Sequence, residues 1–134
     1  MNGTILVGSD GSAGSRRALE WAAEEALLRD AEVQVVIVVD PDQSSVTSQA
    51  RADEAQRMVE EAASGLARRP SITTRVESGP PVDVLTMLSE QADLLVLGSH
   101  GTSSLIHSAL GSVSDACARL AACPVVVLPA QRPS

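Results

Sequence analysis

The chain has 134 residues and a net charge of −7, because 17 carboxylates outnumber 10 basic residues, all of them arginine. It contains no lysine, Phe or Tyr, and Trp21 is its one aromatic residue. The missing lysine excludes a GxxxxGK[ST] phosphate loop and a Schiff-base linkage to pyridoxal phosphate. The acidic balance and the missing aromatic residues exclude nucleic-acid modules that stack bases in a basic groove.

A chain of this length corresponds to about one domain, and we expect a single domain over residues 1–134. No apolar run approaches the roughly 20 residues of a membrane span, and the N-terminal residues MNGTILVG lack the features of a signal peptide. Cys117 and Cys123 are six positions apart, which fits neither a CxxC pair nor a zinc site. We therefore predict a cytoplasmic protein with reduced structural thiols and no membrane partner.

Short apolar runs alternate with helical patterns along the first half of the chain. Aliphatic and β-branched runs indicate buried strands, whereas alanines and leucines at helical spacing indicate helices. Glu25 and Arg29 have the i,i+4 spacing of an ion pair on the first helix, where Trp21 is interpreted as a packing residue. In chain order, the sequence predicts a strand over 4–8, a glycine-rich loop over 9–14, a helix over 15–30, a strand over 33–39, a polar loop over 40–48 and a helix over 49–68.

The second half of the chain continues the same alternation. The run over 72–77 alternates polar and apolar residues, which predicts an exposed strand at a sheet edge. The remaining predicted elements are a helix over 82–91, a strand over 93–97, a Gly/Ser-rich loop over 98–114, a helix over 112–120, a strand over 124–128 and a flexible tail over 130–134.

Five strands separated by helices predict an α/β fold of βαβ units, with a doubly wound parallel sheet and helices on both of its faces. Ligands of such open sheets bind beyond the carboxyl ends of the strands, where the strand order reverses. The two glycine-rich loops, 9–14 and 98–114, each follow a predicted strand. We therefore expect the functional site to lie in these loops.

The second loop has the composition of an anion site. Gly98 and Gly101 allow tight turns and close approach of the backbone to a ligand. The helix that opens at Ser112 offers free N–H groups and a positive dipole end, and the hydroxyls of Ser112 and Ser114 add donors. The same residues also fit a capping box between Ser112 and Asp115. On these residues alone, capping and phosphate binding both stay open.

The glycine spacing favours the phosphate. Gly98, Gly101, Gly111 and Ser112 follow the pattern G-2x-G-9x-G-S, the nucleotide-binding signature of the universal stress protein family. The chain resembles the ATP-binding subclass of that family along nearly its whole length. The supporting segments, in the family's order, are Val7–Ser12, Val36–Asp40, Gly79–Asp83, Ala92–Gly101, Leu110–Ser114 and Cys123–Val127.

The resemblance implies a Rossmann-like five-stranded sheet in the order 3-2-1-4-5 that binds ATP, with Mg²⁺ on the phosphates. It implies that the first loop lines the nucleotide and its ribose, that the second strand meets adenine, and that the second loop follows the sugar and cradles the phosphates. Two departures are Gly8-Ser9, where some ATP-binding members have Pro-Thr, and a slightly short third helix. The implied nucleotide-binding residues are Gly8, Ser9, Asp10, Val38, Leu97, Gly98, His100, Gly101, Gly111, Ser112, Val113 and Ser114.

Two polar residues of the implied site allow more than one interpretation. Asp10 is suited to assist Mg²⁺, although Asp at a strand-to-loop turn is also a common hydrogen-bonding residue. His100 is interpreted as facing the ligand. A role as general base is not favoured, because no carboxylate partner is visible to orient it. We assign neither catalytic residues nor metal ligands.

The last predicted strand, Pro124–Leu128, is apolar throughout, although the order 3-2-1-4-5 places it at an edge of the sheet. An uncovered apolar edge is a template for pairing with another strand. We therefore predict a two-fold homodimer in which this strand pairs with its counterpart. The resemblance implies the same arrangement.

These observations favour an ATP-binding stress-response or regulatory module over an enzyme. Phosphoryl transfer needs concentrated positive charge on the transition state, yet neither loop contains Lys or Arg. Arg119 approaches only from the helix after the second loop. A slow ATPase or phosphotransferase is the first alternative, and a nucleotide-free scaffold is the second.

Overall fold

The computed structural model describes residues 3–9, 13–39, 45–98 and 112–129. Strands and helices alternate from the first element to the last, as the sequence predicts. The elements are β1 (Thr4–Ser9), α1 (Ala13–Arg29), β2 (Glu32–Val39), α2 (Ser45–Ser64), β3 (Ile72–Ser78), α3 (Pro81–Ser89), β4 (Leu94–Gly98), α4 (Ser112–Leu120) and β5 (Val125–Leu128).

The five strands form one sheet in the order β3-β2-β1-β4-β5, and every neighbouring pair is parallel. This confirms the predicted fold class and strand order. β1 lies in the centre, with β2 on one side and β4 on the other, so the chain reverses its direction of winding between β1 and β4. β3 and β5 are the two edges.

Four of the strands, β1, β2, β4 and β5, contribute to two cores, because successive side chains point to opposite faces of the sheet, whereas β3 contributes to the first core only. The first face is covered by α1 and α2, whose alanines pack closely on the strands. The second face is covered by α3 and α4 and is smaller. Trp21 is half-buried and packs against the first core, in agreement with its interpretation as a packing residue. The buried members of the second core are Leu6, Val36, Leu85, Leu95, Leu97 and Cys117.

The end of α1 shows how the helix boundaries depend on local backbone chemistry. Asp30 has φ of 55°, and Ala31 N donates a hydrogen bond to Ala26 O at 2.9 Å. This is the Schellman arrangement, which satisfies a carbonyl that the helix itself leaves unpaired. The predicted ion pair between Glu25 and Arg29 is present in the same turn at 2.8 Å.

The second helix differs most from its predicted span of 49–68. It begins earlier and ends at Ser64, one residue before Gly65. Glycine weakens a helix because it loses more backbone entropy than other residues. Arg69, predicted to lie just beyond the helix, reaches back to Glu60 with two hydrogen bonds of 2.9 and 3.0 Å.

Among the residues that the structure describes, no helix is both long enough and apolar enough to cross a membrane.

Candidate functional site

Those residues implied to bind a ligand that the structure describes lie at the carboxyl edge of the sheet. β1 ends at Ser9, β4 ends at Gly98, and α4 begins at Ser112 on the same edge. Ser9 pairs in register with Ile37 of β2, and Gly98 pairs with Leu128 of β5. The strand order reverses between β1 and β4, which pair in register as far as Val7 and Val96, shortly before both strands end. Open α/β sheets bind ligands at such a reversal.

Gly8 is held in close contact with the second core. A Cβ atom at this position would lie 2.6 Å from Leu97 Cδ2 and 3.1 Å from Leu85 Cδ1. The first distance is shorter than real Cβ contacts and the second is tight, so any side chain here would have to displace both leucines, and packing favours glycine. Leu85 of α3 was not among the predicted site residues, because no local pattern connects it with β1. It nevertheless lies beside Gly8 in the second core, together with Leu97.

Ser114 connects the two elements that form the centre of the site. Its Oγ donates a hydrogen bond of 2.6 Å to Gly98 O, and the residue is only 4% exposed. The amino end of α4 is thereby tied to the carboxyl end of β4. The sequence identified Ser114 as a site residue but gave no sign of this contact.

The first turn of α4 combines an exposed and a buried surface. Ser112 is exposed, whereas Val113 is half-buried and packs against the second core. The N–H groups at the start of a helix have no partner within the helix, so they are available to an anion. Asp115 Oδ2 lies 3.2 Å from Arg119 Nη2, one turn further on. The Asp115 carboxylate is therefore directed toward Arg119, whereas in a capping box it would reach back to the backbone N–H of Ser112.

The other predicted site residues divide into two groups. Val38 lies one residue before the end of β2, and its half-buried side chain packs against the second core. Ser9 and Leu97 are buried at the ends of β1 and β4. The remaining predicted residues, which lie outside the described part of the chain, are Asp10, His100, Gly101 and Gly111.

The arginines nearest to the site in sequence have other partners. Arg16 pairs with Glu61 of α2 and lies 3.6 Å from Glu20. Arg17 Nη1 donates to Pro129 O at 2.8 Å, beyond the end of β5. Within the described ranges, no three His, Cys, Asp or Glu residues form a group that would hold a metal ion. The described part of the site therefore offers neutral donors to a ligand.

Comparison with known proteins agrees with this architecture. The model of the universal stress protein family matches residues 1–129. The universal stress protein Rv2005c of Mycobacterium tuberculosis is 33% identical over 138 aligned residues, which cover 92% of this chain and 47% of that protein. Rv1996 of the same organism is 35% identical, with 93% and 47% covered. The chain thus spans about half the length of the curated relatives it matches.

Solved structures of similar proteins have the same fold over their whole length. The universal stress protein UspA from Lactobacillus plantarum has a TM-score of 0.80 and 26% identity, covering 95% of this chain and 97% of that one. A universal stress protein in complex with cAMP has a TM-score of 0.73 and 31% identity, covering 94% and 95%. With the family model matched over nearly every residue, this chain belongs to the universal stress protein family.

Proposed function

We propose that the chain binds ATP, with Mg²⁺ on the phosphates, at the carboxyl edge of the sheet and acts as a regulatory module in the stress response. The observation that carries the proposal is the amino end of α4, which a hydrogen bond ties to the end of β4 beside the reversal of strand order. A helix N-terminus at this place in an open α/β sheet is suited to phosphate.

The described residues of the proposed site would hold a phosphate through uncharged hydrogen-bond donors. The backbone N–H groups of Ser112, Val113 and Ser114 belong to the first turn of α4, where they have no carbonyl partner within the helix, and the exposed Ser112 adds a hydroxyl in the same turn. Val38 would lie near adenine, and Gly8 and Ser9 near the ribose. Asp10, His100, Gly101 and Gly111 would complete the site. Bound Mg²⁺ would supply the positive charge that a site without lysine or arginine lacks.

A related structure supports the ligand class. The protein solved in complex with cAMP is 31% identical to this chain and covers nearly all of it. The two ligands share adenine, ribose and phosphate, so cAMP is the second candidate ligand for the same site. ATP is preferred here because α4 opens with several N–H groups and a hydroxyl, enough donors for a chain of phosphates.

A binding role fits these residues better than catalysis. Phosphoryl transfer is accelerated by cations placed on the transition state. Arg119 pairs with Asp115 on α4, and Arg17 binds the carbonyl of Pro129. The proposal therefore includes at most weak hydrolysis of ATP.

The proposal also includes a homodimer in which the β5 strands of two copies pair. Each copy is a single domain, and we propose that the protein works in the cytoplasm. Val125, Val126 and Val127 are only half-buried on this edge strand. Pro124 O accepts a hydrogen bond from Leu95 N, so the polar groups of alternate residues face β4. The backbone N–H and C=O groups of Val125 and Val127 then point away from the sheet, where the same strand of a second copy could pair with them.

The test starts from the protein as purified. After denaturation, the released nucleotide is identified by ion-exchange chromatography, and binding of ATP with Mg²⁺ and of cAMP is measured by calorimetry. Released ATP supports binding with little turnover, whereas released ADP would favour the ATPase. A folded Ser112→Asp variant should lose ATP because it places a carboxylate among the phosphate donors. No nucleotide and no binding at millimolar ATP would exclude the proposal.

A further inference from the structure

A cavity of about 390 Å³ lies at the amino edge of the sheet, a volume within the range of small-molecule sites. It is bounded by the last turn of α1, the start of β2 and the segment 68–71 that precedes β3. The segment is fixed to β2 because Val33 N donates a hydrogen bond of 2.8 Å to Ser71 O. The proposed nucleotide site lies at the carboxyl edge, so the two places are at opposite ends of the strands.

The segment 68–71 gives the cavity a basic wall, formed by Arg68 and Arg69. Arg69 is engaged by Glu60 through two hydrogen bonds of 2.9 and 3.0 Å. Arg68 is exposed and makes no hydrogen bond or ion pair with any other described residue. Its guanidinium therefore keeps its donors for an external carboxylate, which it can hold with two parallel bonds.

The chain between α1 and β2 gives the cavity an acidic wall, formed by Asp30 and Glu32. Glu32 is half-buried, and its Oε1 accepts a hydrogen bond of 3.2 Å from Thr4 Oγ1. A carboxylate accepts several hydrogen bonds, so Glu32 keeps capacity for a further donor. The carboxyl end of α1 adds the negative end of the helix dipole. This wall is suited to an ammonium group.

The two walls do not neutralise each other. Although these described residues line one cavity, Arg68 forms no ion pair with Asp30 or Glu32. A simple anion in the cavity would pair with the guanidinium but also meet the two carboxylates, and a simple cation would have the opposite conflict. A ligand that carries both charges avoids both conflicts.

We propose that this cavity binds a small zwitterion, whose carboxylate pairs with Arg68 and whose ammonium group is held by Glu32 and the carboxyl end of α1. Free amino acids are the chemical class that fits. The site does not depend on the proposed nucleotide binding, because it uses none of the same residues.

The first experiment titrates the isotope-labelled protein with glycine, β-alanine and γ-aminobutyrate, in which the two charges are increasingly far apart, and follows the amide signals by NMR. Each is compared with the carboxylate and the amine of the same carbon chain, such as butyrate and butylamine. We expect saturable shifts at Ala31, Glu32 and Ser71 with at least one amino acid. Its carboxylate and amine counterparts should bind about tenfold more weakly, because each lacks one ion pair.

The second experiment repeats the titration with charge variants. Arg68→Ala should weaken the best amino acid about tenfold. Arg57→Ala is the matched control, because Arg57 is also exposed and without a described partner but lies on α2 away from the cavity. Glu32→Gln keeps an acceptor for the Thr4 hydroxyl and should weaken the amino acid about tenfold while weakening the matching carboxylate much less. Urea unfolding without ligand checks that each variant is folded.

Four results would overturn the proposal. If none of the three amino acids shifts these amides at tens of millimolar, the cavity is not a zwitterion site. If an amino acid and its matching carboxylate bind equally well, the cavity takes anions alone. Equal losses in Arg68→Ala and Arg57→Ala would show a general effect of charge. Shifts confined to the first turn of α4 would assign the ligand to the proposed nucleotide site instead.

Discussion

The hydroxyl of Ser89, the last residue of α3, accepts a hydrogen bond of 2.9 Å from the backbone N–H of Ala122, which follows α4. The same hydroxyl donates to Thr86 O at 2.6 Å, and Ser89 is 1% exposed. One buried side chain thus connects the ends of the two helices that cover the second face of the sheet.

We expect Ser89→Ala to destabilise the protein by about 0.5–1.5 kcal/mol, because it removes the part-buried hydrogen bond from the Ala122 N–H. Urea unfolding measures the change. Ser64→Ala is the matched control, since Ser64 also bonds a carbonyl of its own helix but is exposed. Equal stabilities of the two variants would contradict the connecting role of Ser89.

Gly8→Ala should lower stability by about 1–3 kcal/mol, because the added methyl group must displace Leu97 and Leu85. This variant is a poor probe of ligand binding, since its defect lies in the core. Gly65→Ala provides the control, because a Cβ atom there has no heavy atom within 4 Å. Thermal unfolding compares the two, and an unchanged Gly8→Ala variant would show that the second core has room to adjust.

Val127→Pro should abolish the proposed dimer and preserve the folded monomer. The N–H of Val127 points away from β4, and proline is tolerated on an edge strand where the lost N–H faces outward. Light scattering over a range of concentrations gives the mass. Val126→Pro is the control, because its N–H faces β4 and its loss should destabilise the fold. A wild-type mass equal to the monomer at every concentration would exclude the dimer.

The two thiols should control the alkaline stability of the protein. Burial raises the pKa of Cys117, and burial together with the nearby Asp93 carboxylate raises the pKa of Cys123. The unfolded chain then releases thiol protons before the folded one does. Stability should therefore fall as pH rises above about 8.5, by up to about 1.4 kcal/mol per pH unit for each thiol.

The amino-acid composition simplifies the interpretation of this pH dependence. The chain has neither lysine nor tyrosine, so no other side chain titrates between the thiols and arginine. Urea unfolding at pH 8, 9 and 10 should show the decline in the wild type and a flat profile in a Cys117→Ala/Cys123→Ala double variant. A decline that persists in the double variant would show that the thiols are not its cause.

Binding of ATP with Mg²⁺ should stabilise the folded protein, by about 2.7 kcal/mol at a ligand concentration of 100 Kd. Thermal unfolding with ATP, cAMP and no ligand measures the effect. Ser112→Asp should remove the response to ATP, because its carboxylate repels the phosphates. A response that is equal in the variant and the wild type would place the phosphates away from α4.

Much of the fold was predictable from the sequence because it depends on local patterns. The apolar run Val33–Val39 and the helical spacing of apolar residues in α1 can be recognised from the local sequence. The observed bounds of β2 and α1 lie within one or two residues of the predicted ones. The start of α2 lies four residues earlier than predicted, and its end was predicted too late because apolar periodicity continues past Ser64, where the helix stops. The strand order followed from the resemblance to a family, and the sheet confirms it.

For the site, composition and motifs already showed which chemical groups are available: glycines, serines and a helix end, with no lysine. In the sequence, the hydroxyls of Ser112 and Ser114 both count as possible phosphate donors. Only the tertiary structure separated them, because the partner of Ser114 lies at the end of another strand. The preference for glycine at position 8 likewise comes from Leu85 and Leu97, which are distant in sequence. Such contacts exist only once the sheet and helices have packed, so no local pattern records them.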